Sequence, residues 1–77
     1  DKKESEVMVT AKFFFPYGNG TWYMTEYDPI ARIAFGLCDI GFPELGYFTI
    51  TELEENNIER DIHFTPTSLA TIRKGIK

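Results

Sequence analysis

One cysteine and one histidine are all the thiol and imidazole chemistry these 77 residues hold. A lone thiol excludes a disulfide framework and any multi-cysteine metal centre. No spacing joins Cys38 and His63 as nucleophile and base. Cys38 sits in an alternating apolar run, where cysteine behaves as a small hydrophobe, and His63 is expected to face water beside Glu59 and Asp61. No apolar run approaches the roughly 20 residues that cross a bilayer. A glycine-rich phosphate loop, a nucleophile elbow, paired metal-ligand spacing and the alternating acids of a calcium loop are all missing. Neither a cofactor nor a metal is therefore expected.

Basic residues are also scarce, and unevenly so. The formal net charge is −4, but between Pro16 and Pro66 nine acids face only Arg32 and Arg60, a local charge of −7. Lys2, Lys3 and Lys12 lie near the start, and Arg73, Lys74 and Lys77 at the end. Such a field repels phosphates and anionic membranes, so direct nucleic-acid and membrane binding are not expected. It suits a protein partner with a basic surface or a cation, or serves solubility alone.

Apolar residues make up 43 % and aromatics 16 %, enough for a folded chain of this length to build a core. A single domain over residues 1–77 is expected, with 1–5 and 75–77 frayed. From Val7 the pattern is period two: Val7, Val9, Ala11, Phe13 and Phe15 share one face of a strand. Asn19-Gly20 predicts a hairpin turn. Thr21–Asp28 follows as a strand covered on both faces, since neither of its faces is polar. Ala31–Cys38 reads as a third strand whose second face, Arg32, Ala34, Gly36 and Cys38, is small enough for close packing. Residues 44–50 read as a fourth strand with Gly46 at a bulge or close approach.

Thr51 and Glu54 have capping-box spacing for a short helix ending by Asn56-Asn57. Ile58, Ile62 and Phe64 alternate with Glu59, Asp61 and His63 in a fifth strand, and Thr65-Pro66 opens a last helix. The order β-β-β-β-α-β-α predicts an α+β fold, a mainly antiparallel sheet of about five strands with two short helices.

Three groups of side chains are candidate sites. Arg60 falls in phase with Ile58, Ile62 and Phe64, and Glu26 in phase with Trp22 and Met24, so a buried Glu26–Arg60 pair is predicted. Asp28 and Asp39 are alternative partners, and an edge position with the guanidinium in water is the alternative for Arg60. Glu52, Glu54, Glu55, Glu59 and Asp61 form a candidate acidic interaction face, or a solvated helix start. Phe14, Tyr17, Tyr23 and Tyr27 form a candidate aromatic patch for a partner or a second copy.

The runs FFFPYGNGTWYMTEYD at 13–28, AFGLCDI at 34–40, ELGYFTITELEE at 44–55 and IERDIHFTPTSL at 58–69 carry a resemblance over roughly residues 12–70. The chain resembles a family of small uncharacterised bacterial proteins, a domain of unknown function often encoded on plasmids and other mobile elements. The resemblance implies a bacterial, cytoplasmic setting and an accessory role on mobile DNA, and it carries no catalytic residues. This copy is compact after Asp28 and at Asn56-Asn57.

The function expected is a non-catalytic, acidic protein-interaction domain, in its narrowest form an inhibitor that mimics nucleic acid. The alternatives are a small enzyme built around Glu26, Arg60 and neighbouring acids, and a homodimeric scaffold.

Overall fold

Period-two alternation and turn chemistry carry through into a computed structural model that describes residues 3–75. The expected first strand is two. Met8–Val9 (β1) and Ala11–Phe14 (β2) are separated at Thr10, whose N–H still reaches the Met24 carbonyl at 2.9 Å. The break sends the two halves to different layers. β2 joins a five-stranded antiparallel sheet with Thr21–Asp28 (β3), Ile33–Asp39 (β4), Pro43–Thr49 (β5) and Glu59–Arg60 (β6). Its order is β5-β4-β3-β2-β6. β1 instead pairs Met8 with Ser68 and Val9 with Thr67 in a separate two-stranded ladder with Thr67–Ser68 (β7).

The hairpin between β2 and β3 lies where Asn19-Gly20 predicts it. Gly20 takes φ +141°, and its carbonyl accepts from the Phe15 N–H at 3.0 Å. Both faces of β3 are covered over Trp22–Met24, as expected there, whereas Glu26–Asp28 are exposed. On one face Tyr23 packs with Leu37, Val9 and Leu69, the layer contributed by β1 and by the helix Leu69–Gly75 (α2). On the other face Trp22 and Met24 pack with Ala34, Phe48 and Leu53, under the helix Ile50–Glu55 (α1). The sheet is thus sandwiched between α1 and the β1–β7–α2 layer.

The close approach expected at Gly46 falls at Gly36 instead. A Cβ at Gly36 would lie 1.9 Å from the Tyr23 carbonyl oxygen, whereas one at Gly46 would meet nothing within 4 Å. Next to it the β3–β4 register slips between Met24 and Glu26, leaving Thr25 as the extra residue of a bulge. The Thr25 hydroxyl donates to the Phe35 carbonyl at 3.0 Å.

α1 is capped two residues earlier than Thr51-Glu54 predicts. Thr49 is the N-cap: its Oγ1 accepts from the Glu52 N–H and donates to Glu52 Oε1, both at 3.0 Å. Thr51 loses because the chain is already helical at Ile50, whose N–H is held by the Arg32 carbonyl at 3.2 Å. The end at Asn56-Asn57 is as expected. Asn57 takes φ +58° and donates to the Glu54 carbonyl, and Ile58 donates to the Leu53 carbonyl at 2.9 Å. This is the paired bonding of a Schellman cap, and Leu53 and Ile58 meet in the same apolar cluster, the contact that accompanies it.

The predicted fifth strand shrinks to Glu59–Arg60, and Ile62 is 80 % exposed. A turn follows, closed by the Phe64 N–H on the Asp61 carbonyl at 3.2 Å. The last helix begins at Leu69 rather than at Thr65-Pro66. Ser68 Oγ accepts from the Thr71 N–H at 3.2 Å, a local cap that leaves Thr67–Ser68 free to pair with β1. The polar start was expected to fray; Lys3–Glu6, its described part, forms a turn, and Glu4 Oε1 lies 2.6 Å from Arg73 Nε, off the hydrogen-bonding line. Fraying at 1–2 and 76–77 concerns positions outside the described residues.

Gly36→Ala is expected to lower stability by about 3 kcal/mol, because backbone must move to admit one methyl group. Gly46→Ala should change it by less than about 0.5 kcal/mol, and urea unfolding of the two variants side by side checks the contrast.

Candidate functional site

The structure separates the residues of the predicted Glu26–Arg60 pair. The bulge at Thr25 reverses the parity of β3, so Glu26 falls opposite Phe35 on the β1–β7–α2 side of the sheet. Arg60 pairs with Phe13 and borders a recess with Met24, Tyr27 and Ile50, on the α1 side. Both side chains are exposed, and neither belongs to an ion pair among the described residues. Asp28 and Asp39 do not replace Glu26 as partner: the Asp28 carboxylate caps the turn at Ile30 and Ala31. Arg60 is therefore an edge-strand residue with its head in water, which β6 permits because it is the outermost strand.

The five acids do not form one face. Glu52 is tied to the α1 cap, and Glu54 Oε1 lies 2.6 Å from Arg32, whose guanidinium it holds above its usual range. Asp61 pairs with Lys12 at 4.0 Å and accepts from the His63 N–H at 3.0 Å. Glu59 pairs with Phe14 across the far edge of the sheet. Of the five, Glu55 and Glu59 stand without a side-chain partner among the described residues, and they belong to different elements.

The proposed aromatic patch is likewise divided. Tyr23 packs in the core beside Val9 and Leu37, with Lys12 Nζ 5.9 Å above its ring; burial and Asp39 push its phenol upward. Phe14 shares that side of the sheet. Tyr27, two positions beyond the bulge, is carried to the opposite side, opposite Ala34. Tyr17 is 82 % exposed in the hairpin loop, edge-on to Phe15 at 6.0 Å.

What the structure does assemble is an apolar surface elsewhere. The β1–β7–α2 layer covers Tyr23 and Leu37 but stops short of β5. Ile33, Leu45 and Tyr47 are left 40 %, 42 % and 77 % exposed on one side of β4 and β5, and Phe35 meets Tyr47 at 4.8 Å. Phe35 and Leu45 also line a groove of about 750 Å³ that runs under Met8 and Val7 and is bordered by Glu6 and Glu26, with no basic side chain in its wall among the described residues. β5 is an edge strand seven residues long with one charge, Glu44, whereas the opposite edge is the two-residue, fully charged β6. Short charged edges are protected against pairing and long apolar ones are not. The alternation of ELGYFT carries this signal in the sequence, but not which of its faces is left bare.

Among the described residues no three of His, Cys, Asp and Glu are grouped to hold a metal ion, and no helix is long and apolar enough to cross a membrane. Cys38 and His63 do not form a site: Cys38 packs against the Ala34–Phe48–Leu53 cluster, and His63 is exposed in the turn after β6. Burial, and then the Glu44 charge, raise the Cys38 thiol.

Alanine replacements at Glu26 and Arg60 should be additive within about 0.3 kcal/mol in a double-mutant cycle, since the two groups lie on opposite sides of the sheet. For Cys38 the folded state favours the neutral thiol, so its contribution is complete below the unfolded thiol pKa and is lost as the pH rises through the raised folded one. Urea midpoints measured across the thiol range should fall toward alkaline pH, and the fall should be smaller in Cys38→Ala.

Comparison with curated proteins and with solved structures gives no significant match. A family model does match, over residues 1–73, nearly the whole chain. The chain belongs to the family described as protein of unknown function (DUF2958).

Proposed function

We propose that this chain is a protein-interaction domain that takes an extended segment of a partner protein along β5. The observation that carries the proposal is the apolar strip of exposed Ile33, Leu45 and Tyr47 and half-buried Phe35 beside an unpaired edge strand. Strand addition supplies main-chain hydrogen bonds, and alternate side chains of the segment supply specificity. The partner segment would set apolar side chains against Leu45 and Tyr47, with basic ones toward Glu6 and Glu26 at the groove.

The narrower role of a nucleic-acid mimic needs a continuous row of free carboxylates. Ion pairs and cap bonds occupy three of the five, so support for the reading comes from the apolar strip instead. An enzyme built on Glu26 and Arg60 lacks convergence of those groups. The proposed setting is a bacterial cytoplasm and a mobile element, which is what the sequence resemblance implies.

Leu45→Lys with Tyr47→Lys should leave the fold within about 0.5 kcal/mol of the parent, both side chains being exposed. A partner retained by the immobilised parent chain should be retained about tenfold less by the double variant and equally by Glu55→Gln. Equal retention by parent and double variant overturns the proposal. Light scattering of the free chain reports the competing occupant, since a stable dimer abolished by the same two lysines would assign the strip to a second copy.

A further inference from the structure

On the α1 side of the sheet a recess of about 320 Å³ opens between the β2–β3 hairpin and α1. Its walls are Phe15, Asn19 and Trp22 from the hairpin, Phe48 from β5, Glu52 from α1, Asn56 at the helix end and Ile58. The floor is firm, because Phe48 and Leu53 are 5 % and 4 % exposed. Gly20 lets the indole lie close beneath the turn: a Cβ there would stand 3.0 Å from Trp22 Cη2. The recess is therefore shaped by packed elements and does not depend on a loop closing. Its volume is at the low end of small-molecule pockets, which run from about 300 Å³ upward.

The polar groups offered to an occupant are biased toward acceptors. Glu52 is the one charged side chain in the wall, and only its Oε1 is engaged, by the Thr49 hydroxyl. One N–H of the Asn56 amide is engaged by the Glu52 carbonyl at 2.8 Å, which leaves its oxygen available. Among the described residues no basic side chain lines the recess. Three aromatic side chains and a carboxylate favour a positive guest of apolar surface.

We infer that this recess binds a small organic cation, an alkylated ammonium head, with its charge toward Glu52 and its methyl groups against Trp22, Phe15 and Phe48. A strongly hydrated metal ion would gain little from the aromatic walls, and a neutral apolar guest would gain nothing from the carboxylate. The same head occurs free, as in choline, or on a peptide as trimethyllysine, and the recess would hold either. The inference uses β5 only through Phe48 on the α1 side, not the Leu45–Tyr47 strip on the other, and stands or falls separately from the strip.

Trp22 is the single tryptophan of the chain, so its fluorescence reports occupancy directly. Titration of the full chain with choline at constant ionic strength should give a saturable change. The neutral carbon isostere, dimethylbutanol, should bind about tenfold more weakly. Glu52→Gln preserves a side chain that can cap the helix, and it should weaken choline by about fivefold without loss of fold. A trimethyllysine peptide that binds at least about tenfold tighter than choline assigns the cation to a protein tail; comparable affinity assigns it to a free molecule, and both support the site. No saturable change with either probe, equal affinity for the neutral isostere, or an unaltered affinity in Glu52→Gln overturns the inference.

Discussion

The backbone crossing at Gly36 governs the arrangement of everything on the sheet. There the Tyr23 carbonyl lies so near β4 that only a hydrogen atom fits, and the next residue pair is displaced by the bulge at Thr25. A bulge adds one residue to a strand of period two, so every side chain after it changes sides. Before Thr25, Trp22 and Met24 point to the α1 layer and Tyr23 to the β1–β7–α2 layer. After it, Glu26 and Tyr27 exchange sides relative to a regular strand. One inserted residue thus separates Glu26 from Arg60 and Tyr27 from Tyr23.

The two covering layers are unequal, and that inequality generates the surfaces available for binding. α1 is short but capped at both ends, so it holds Leu53 firmly over Phe48 and Ala34 and leaves a recess against the hairpin. The opposite layer is fastened by the β1–β7 ladder, by the Leu69 N–H on the Val7 carbonyl at 2.8 Å and by the Glu4–Arg73 ion pair. It reaches Leu37 and ends before β5, which leaves one long edge and its apolar side bare. The recess and the bare edge lie on opposite sides of the sheet and rest on different residues.

Much of this was legible in the residues. Asn19-Gly20 marked the hairpin, and Asn56-Asn57 marked the end of α1, because both depend on backbone conformations that few residues adopt without strain. The small second face of the third strand signalled close packing, and Ala34 is 1 % exposed beneath Phe48 and Leu53. The capping pattern was ambiguous, because TITE and TELE overlap and both satisfy the spacing; the Arg32 carbonyl, distant in sequence, selects the first. The run after Ile58 alternated like a strand, but its pairing with β2 stops after Glu59–Arg60 and the Asp61 N–H on the Lys12 carbonyl.

The sequence by itself determined the α+β class, the antiparallel hairpins, the C-terminal end of α1 and the acidic middle of the chain, since each follows from local propensity, turn chemistry or charge counting. The tertiary structure alone decided which side of the sheet each residue occupies beyond Thr25, which acids are already paired and which strand edge is left open. Those outcomes depend on a bulge and on the reach of a covering layer, and both arise from contacts between residues far apart in the chain.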